Sequence, residues 1–196
     1  EMHYTEKIAR LPHSFFPVDT SISPNEFDNL PSRESQGLPK TGFVFSCFNN
    51  PYKITPQIFD LWMRLLKQVP ESVLWLSKTS EKAMQNLQSE AVTRGIDSNR
   101  LVFATRVPAR KDHLSRLRLA DLFLDNLPYN AHTTCSDSLW AGLPVLTLVG
   151  DTFPGRVAAS LLNAVGLSEL ITRTQEEYEA LAIELAINPN KLAKLN

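Results

Sequence analysis

From residue 42 onward the chain alternates short apolar runs with helical repeats, and that alternation leaves few folds open. Residues 42–47 (Gly-Phe-Val-Phe-Ser-Cys) read as a buried strand. Thr55-Pro56 then opens a helix, with Thr as N-cap and Pro at the first helical position, and Ile58, Trp62, Leu65 and Val69 fall along one face of it. The pattern continues with a strand over 72–76, a helix over 81–94 closed by Gly95, a strand over 100–104 and a basic helix over 109–118. A strand over 121–125, a helix over 133–141, a strand over 145–149 and a helix over 156–165 closed by Gly166 follow. Residues 169–171 suit a short edge strand and 175–186 a last helix. Strands alternating with helices predict a parallel sheet covered on both faces. Right-handed crossovers then give an α/β, Rossmann-like doubly wound domain over residues 41–196.

Residues 1–40 break that rhythm. Pro12, Pro17, Pro24, Pro31 and Pro39 punctuate a stretch rich in Ser and Asn, which reads as an irregular lead-in with Phe15-Phe16 docking on the main body. A length of 196 residues suits one domain or one large half of a two-domain enzyme. Hydrophobic residues at 43% are enough for a packed core, and a net charge of -1 gives no reason to expect a nucleic-acid or membrane partner. No apolar run approaches the roughly 20 residues that span a bilayer. The sequence from Glu1 onward shows no secretory signal pattern, and two cysteines, Cys47 and Cys135, make no disulfide framework. A reducing, cytoplasmic setting fits best.

In a parallel sheet every strand-to-helix loop opens at the carboxyl edge, where ligands of such sheets bind. Three of these loops carry candidate chemistry. The stretch 130–144 (Asn-Ala-His-Thr-Thr-Cys-Ser-Asp-Ser-Leu-Trp-Ala-Gly-Leu-Pro) places Thr133 and Thr134 as N-caps of a short helix stopped by Gly142. Unpartnered N–H groups at such a helix start suit a phosphate, and Asp137, one turn in, suits a sugar hydroxyl. His132, just before the cap, is within reach of ribose or phosphate. The loop 48–53 (Phe-Asn-Asn-Pro-Tyr-Lys) offers Lys53 as a cation and Asn49 and Asn50 as amide donors. The loop 105–113 brings Pro108, Arg110 and His113 together, with Arg116 one turn further along the basic helix. A flat His113 ring there suits stacking on a nucleobase, with Arg110 beside the base or its phosphates.

Each loop has a plainer reading. Lys53 fits a surface lysine in a turn, the 105–118 segment a solvated basic face, and Thr133-Thr134 a capping turn. Cys135, near a helix start, suits a lowered thiol pKa or a small semi-buried residue. The fourth rim loop, 150–156, is flanked by glycines and reads as a lid or as a connector. No Gly-x-Gly-x-x-Gly occurs, which argues against an ordinary dinucleotide dehydrogenase. Three phosphate- and base-suited loops at one edge nonetheless read together as a nucleotide-diphosphate cradle.

These residues resemble the carboxyl-terminal half of the catalytic region of the protein O-GlcNAc transferase family, which includes animal enzymes, plant Spindly-type proteins and bacterial relatives. The likeness runs through Tyr4-Thr5-Glu6-Lys7-Ile8, Leu11-Pro12-His13-Ser14-Phe15-Phe16 and Phe48-Asn49-Asn50-Pro51-Tyr52-Lys53-Ile54. It continues through Val69-Pro70-Glu71-Ser72-Val73-Leu74-Trp75-Leu76 and Leu119-Ala120-Asp121. It ends with His132-Thr133-Thr134, Asp137, Leu139-Trp140-Ala141-Gly142 and Arg156-Val157-Ala158-Ala159-Ser160.

The resemblance implies the donor-binding lobe of a two-lobed GT-B, inverting glycosyltransferase that moves N-acetylglucosamine from UDP-GlcNAc to Ser/Thr of proteins. It implies that Lys53, the catalytic cation, and the Thr133/Thr134 helix start hold the diphosphate. His113 then stacks near uracil with Arg110 close by, Asp137 binds ribose, and His132, Pro108 and Arg116 lie in the same pocket. Arg110 stands where animal members carry Lys, Asn50 replaces their Gln, and Cys135-Ser136 replaces their Gly-Met. There is no Asp-x-Asp to hold a divalent metal, and the expectation is no cofactor and no metal. The implied partners are a nucleotide-sugar donor, acceptor proteins, an upstream amino-terminal lobe and helical (TPR) repeats. The competing readings are a Spindly-type GDP-fucose transferase, a bacterial-type enzyme moving glucose to Asn, a catalytically idle nucleotide-binding module and an α/β domain with no nucleotide site.

Overall fold

A computed structural model describes residues 5–27 and 30–195. Tyr4, the first residue of the family likeness, lies outside the described residues. Six parallel strands form one sheet: β1 (Val44–Cys47), β2 (Val73–Ser77), β3 (Leu101–Ala104), β4 (Leu122–Leu124), β5 (Val145–Leu148) and β6 (Ile171–Thr172). Their spatial order is β3-β2-β1-β4-β5-β6. β1 therefore pairs with β2 on one side and with β4 on the other, through Phe45↔Leu122 and Ser46↔Phe123. The order reverses between β1 and β4, so the loops leaving their carboxyl ends diverge and leave a crevice.

Apolar runs without alternation are what a sheet covered on both faces requires, and every residue of β1, β4 and β5 is buried. The covering helices are α1 (Pro56–Gln68), α2 (Glu81–Thr93), α3 (Arg110–Leu117), α4 (Thr133–Trp140), α5 (Val157–Ala164), α6 (Gln175–Ile187) and α7 (Pro189–Leu192). Thr55 caps α1 by accepting from the Ile58 N–H, with Pro56 at the first helical position as expected. Ile58, Trp62 and Leu65 are buried along its inner face, which packs against α6. A capping box formed by Thr174 and Glu177 starts α6. α3, α4 and α5 form a contiguous row, each packed on the next.

The observed elements follow the sequence reading to within a residue or two, with two differences. Residues 168–170 form a 3-10 turn, and the edge strand is only Ile171–Thr172. The short helix α7 was not anticipated, because its four residues, started by the Asn188 side chain and Pro189, are too few to show a period.

The described residues before β1 carry two 3-10 turns, Pro24–Phe27 and Glu34–Gln36, and are tied down. Arg33 donates to the Leu119 carbonyl (3.1 Å), to the Gly42 carbonyl (2.9 Å) and to both oxygens of Asp121 (3.0 and 3.1 Å). The Trp140 indole N–H donates to the Ile22 carbonyl at 2.8 Å, and Phe27 and Leu38 are buried in the core. Phe16 packs against that core while Phe15 stays largely exposed, its ring 4.9 Å from that of Phe153.

Candidate nucleotide-diphosphate site

The loop after β1 and the loop after β4 face each other across the crevice. Residues 51–53 form a 3-10 turn whose N-cap is Asn50; the Asn50 side chain accepts from the Tyr52 N–H at 3.4 Å. That turn brings Lys53 back over the crevice. The Lys53 Nζ donates to the Asn130 carbonyl at 2.9 Å and lies 4.1 Å above the centre of the Tyr129 ring. Partial burial pushes the Lys53 ammonium below its ordinary value, while the negative charge of Asp125 works against that shift.

Beneath Lys53 is a buried polar cluster. Asp125, 0% exposed, accepts from the Ala131 N–H (2.6 Å), the Asn126 N–H (2.8 Å) and the Thr147 hydroxyl (2.7 Å). Burial pushes its carboxyl up to about 6, against the pull of those hydrogen bonds and of Lys53. The Asn49 amide donates to Asn126 Oδ1, and the Thr134 hydroxyl donates to Asn49 Oδ1, so the β1 loop is joined directly to the start of α4.

α4 begins differently from the sequence reading. Its N-cap is His132, not Thr133 or Thr134, and no side chain caps it. Thr133 and Thr134 are the first two helical residues, and the Thr134 hydroxyl donates to Asn49 instead of capping the helix. The first main-chain bond of α4 runs from the Ser136 N–H to the His132 carbonyl. The three N–H groups of Thr133, Thr134 and Cys135 precede that first bond, as the first N–H groups of any helix do. The His132 ring stacks on Tyr129 (centroids 5.0 Å, interplanar angle 23°), and burial lowers its pKa.

A second group adjoins the first through α4. Arg110 donates to Asp137 Oδ1 at 2.7 Å and to Asp19 Oδ2 at 3.2 Å, so residues expected to act on different parts of a nucleotide form an ion pair. Asp137 is only 7% exposed. His113 Nδ1 faces the guanidinium of Arg116, at 3.3 Å from Nε and 3.1 Å from the nearer terminal nitrogen. Burial and the Arg116 charge push His113 down to about 4, which makes it a neutral ring in ordinary conditions. His113 and Arg116 both lie on Phe48, at 5.8 and 5.1 Å, and Arg116 also donates to the Thr105 carbonyl. The β1 loop, α3 and α4 thus form one continuous rim. Asn50 and Pro108 stand outside these two groups; both are exposed.

Two features that the sequence left open take their plainer reading. The Cys135 thiol is fully buried, and burial holds its pKa well above the ordinary value, so the start of α4 does not activate it. The 150–156 loop is closed on itself by the Gly150 N–H to the Gly155 carbonyl (2.8 Å), and the Asn130 N–H donates to its Pro154 carbonyl (3.0 Å). It is a connector closed on itself and bonded to the loop after β4. Asp125, Asn126, Asn130 and Tyr129 were the residues missed. Their one signal was a polar Asp-Asn pair ending an apolar strand.

Residues 19–196 match the model of glycosyl transferase family 41. The chain belongs to that family. A probable UDP-N-acetylglucosamine–peptide N-acetylglucosaminyltransferase, SEC, of Arabidopsis thaliana is 39% identical over 98% of this chain and 20% of its own length. A UDP-N-acetylglucosamine–peptide N-acetylglucosaminyltransferase of Caenorhabditis elegans is 39% identical over 85% of this chain and 14% of its own. The fold matches that of a Thermobaculum terrenum O-GlcNAc transferase with a TM-score of 0.83, at 33% identity over 98% of this chain and 36% of that one. The fold is thus the Rossmann-like α/β type found within GT-B glycosyltransferases. This chain spans a fifth or less of the length of these two curated relatives.

Proposed function

We propose that this chain is the carboxyl-terminal, donor-binding lobe of an inverting protein O-N-acetylglucosaminyltransferase that uses UDP-GlcNAc to modify Ser/Thr of proteins. The observation that carries the reading is the placing of Lys53, at the topological switch point, on the Asn130 carbonyl two residues before the uncapped start of α4. A leaving nucleoside diphosphate brings two or more negative charges to that spot. Lys53 and the helix-start N–H groups answer them with one full and about half a positive charge, fixed before the reaction begins and metal-independent.

In this reading the acceptor hydroxyl attacks the sugar's anomeric carbon opposite the diphosphate. The bond to the β-phosphate oxygen breaks with its electron pair passing to that oxygen, where Lys53 and the N–H groups of Thr133 and Thr134 receive it. The hydroxyl proton leaves to a base contributed by an upstream amino-terminal lobe. The neutral His113 ring stacks on the base, Arg116 fixes that ring through Nδ1, and Arg110 and Asp137 bind the ribose end. TPR repeats of the whole protein would recruit acceptors, in the cytoplasm. Support comes from the family match and from relatives whose names specify UDP-N-acetylglucosamine.

Calorimetric titration with UDP, GDP and UDP-GlcNAc, without added metal, tests the reading alongside Lys53→Ala. The expected result is UDP binding that Lys53→Ala weakens by ~1.4 kcal/mol or more, a tenfold loss. Preference for GDP would replace the uridine donor by a guanosine one. No binding by a folded chain would overturn the donor-lobe reading.

A further inference from the structure

We infer that Asp125, which no ligand can touch, is the positioning residue that holds both halves of the diphosphate cradle, Lys53 and the start of α4, in register; the inference rests on the nucleotide reading above. The carboxylate sits at the carboxyl end of β4, beside the switch point, and is 0% exposed. Oδ1 takes the N–H groups of Asn126 and Ala131 at 2.8 and 2.6 Å, the first and last links of the turn that carries Tyr129 and Asn130. Oδ2 takes the Thr147 hydroxyl on β5 at 2.7 Å, which anchors the turn to the sheet. The Tyr178 hydroxyl of α6 donates to the Asp125 carbonyl at 3.1 Å, fixing its main chain from the opposite side.

The turn so clamped does two things. The carbonyl of Asn130 and the ring of Tyr129 hold the Lys53 ammonium. Ala131 leads straight into His132, the N-cap of α4. One carboxylate therefore sets where the cation stands relative to the helix start. A turn alone does not need it: a neutral side chain or a water closes such a loop without the cost of burying a charge. What a neutral group does not supply is a charge under Lys53, and among the described residues Asp125 is the carboxylate that counters the loss of solvation there. The buried titratable groups around it are Cys47 on β1, Cys135 on α4 and Tyr178 on α6, all held protonated by burial.

The test compares Asp125→Asn, Thr147→Val and Thr147→Ser with the unaltered chain. Calorimetry is run with uridine and with UDP, and the Lys53 ammonium is titrated by 13Cε NMR without ligand. A well-placed hydrogen bond to a charged group is worth about tenfold or more, so UDP binding should weaken by that factor in Asp125→Asn while uridine binding stays within about twofold. Thr147→Val should weaken UDP selectively by less, and Thr147→Ser should restore it. Equal loss for uridine and UDP, or no loss, would reduce Asp125 to a structural role and overturn the inference. If Asp125→Asn does not fold, the Thr147 pair decides by the same comparison. If the unaltered chain binds no UDP, the nucleotide reading fails. The lysine titration then stands alone: a lower Lys53 pKa in Thr147→Val, where the Asp125 charge is kept, upholds the positioning role, and an unchanged one ends it.

Discussion

Arg110 and Asp137, 27 residues apart on α3 and α4, meet at 2.7 Å with the carboxylate almost fully enclosed. The pair fastens the two helices that bracket the nucleoside end of the proposed site. Removing the arginine strands a buried charge, which costs more than the pair contributes when intact. Arg110→Ala should therefore weaken uridine and UDP by the same factor, about tenfold, since the change lies at the nucleoside end. Calorimetry with both ligands checks this; a loss confined to UDP would place Arg110 on the phosphates instead.

Acid stability has two opposed contributions. His113 has its pKa depressed to about 4 from 6.5, so it favours the fold above 6.5 and withdraws that stability as pH falls toward 4. Asp125 has its pKa raised to about 6 from 3.8, so its contribution is full below 3.8 and is lost as pH rises through 6. Each shift is worth about 3 kcal/mol, and the two windows overlap. The unaltered chain should show a shallow pH dependence of its urea midpoint between these limits. In His113→Gln the midpoint should rise on acidification over that range, exposing the Asp125 contribution; a midpoint that falls would contradict the assignment.

Glycine matters at one junction. Gly42 has φ +96, and a Cβ there would meet the Glu71 carbonyl oxygen at 2.4 Å. Gly142 has φ +81 with nothing within 4 Å of such a Cβ. Gly142→Ala should cost about 1 kcal/mol, the usual penalty of a left-handed residue. Gly42→Ala adds a backbone clash at the entrance to β1 and should cost several times more, roughly 3 kcal/mol. Denaturant melts of the two variants give the comparison.

Neither cysteine should react in the native state. Cys47 and Cys135 are buried, and burial raises the Cys47 thiol to about 12. Labelling by a thiol reagent should follow the unfolding rate and be unaffected by nucleotide except through stability. Fast labelling of Cys135 would show that the start of α4 opens readily.

The strand and helix alternation was readable in the sequence because a doubly wound sheet needs uninterrupted apolar strands such as Val145–Leu148 and one-sided helices such as Pro56–Gln68. The rim was readable too, since Lys53, His113 and Asp137 are polar groups set at strand ends or helix starts. Their pairing was not. Whether Thr134 caps its own helix or bonds to Asn49 depends on which strands are neighbours, and no local pattern contains that. The role of Asp125 was hidden for the same reason: its partners Ala131, Thr147 and Tyr178 come from three separate elements.

Lys53 and the carbonyl it holds are 77 residues apart in the chain and are brought together by the β1–β4 pairing. Every other strand neighbour is consecutive in sequence, so this one contact closes by far the longest loop of the sheet. A growing chain that has formed β1, β2 and β3 owns the lysine and nothing for it to serve. The proposed site is completed only with the joining of the two half-sheets, and a nucleotide that binds it would draw folding forward by binding only the completed product.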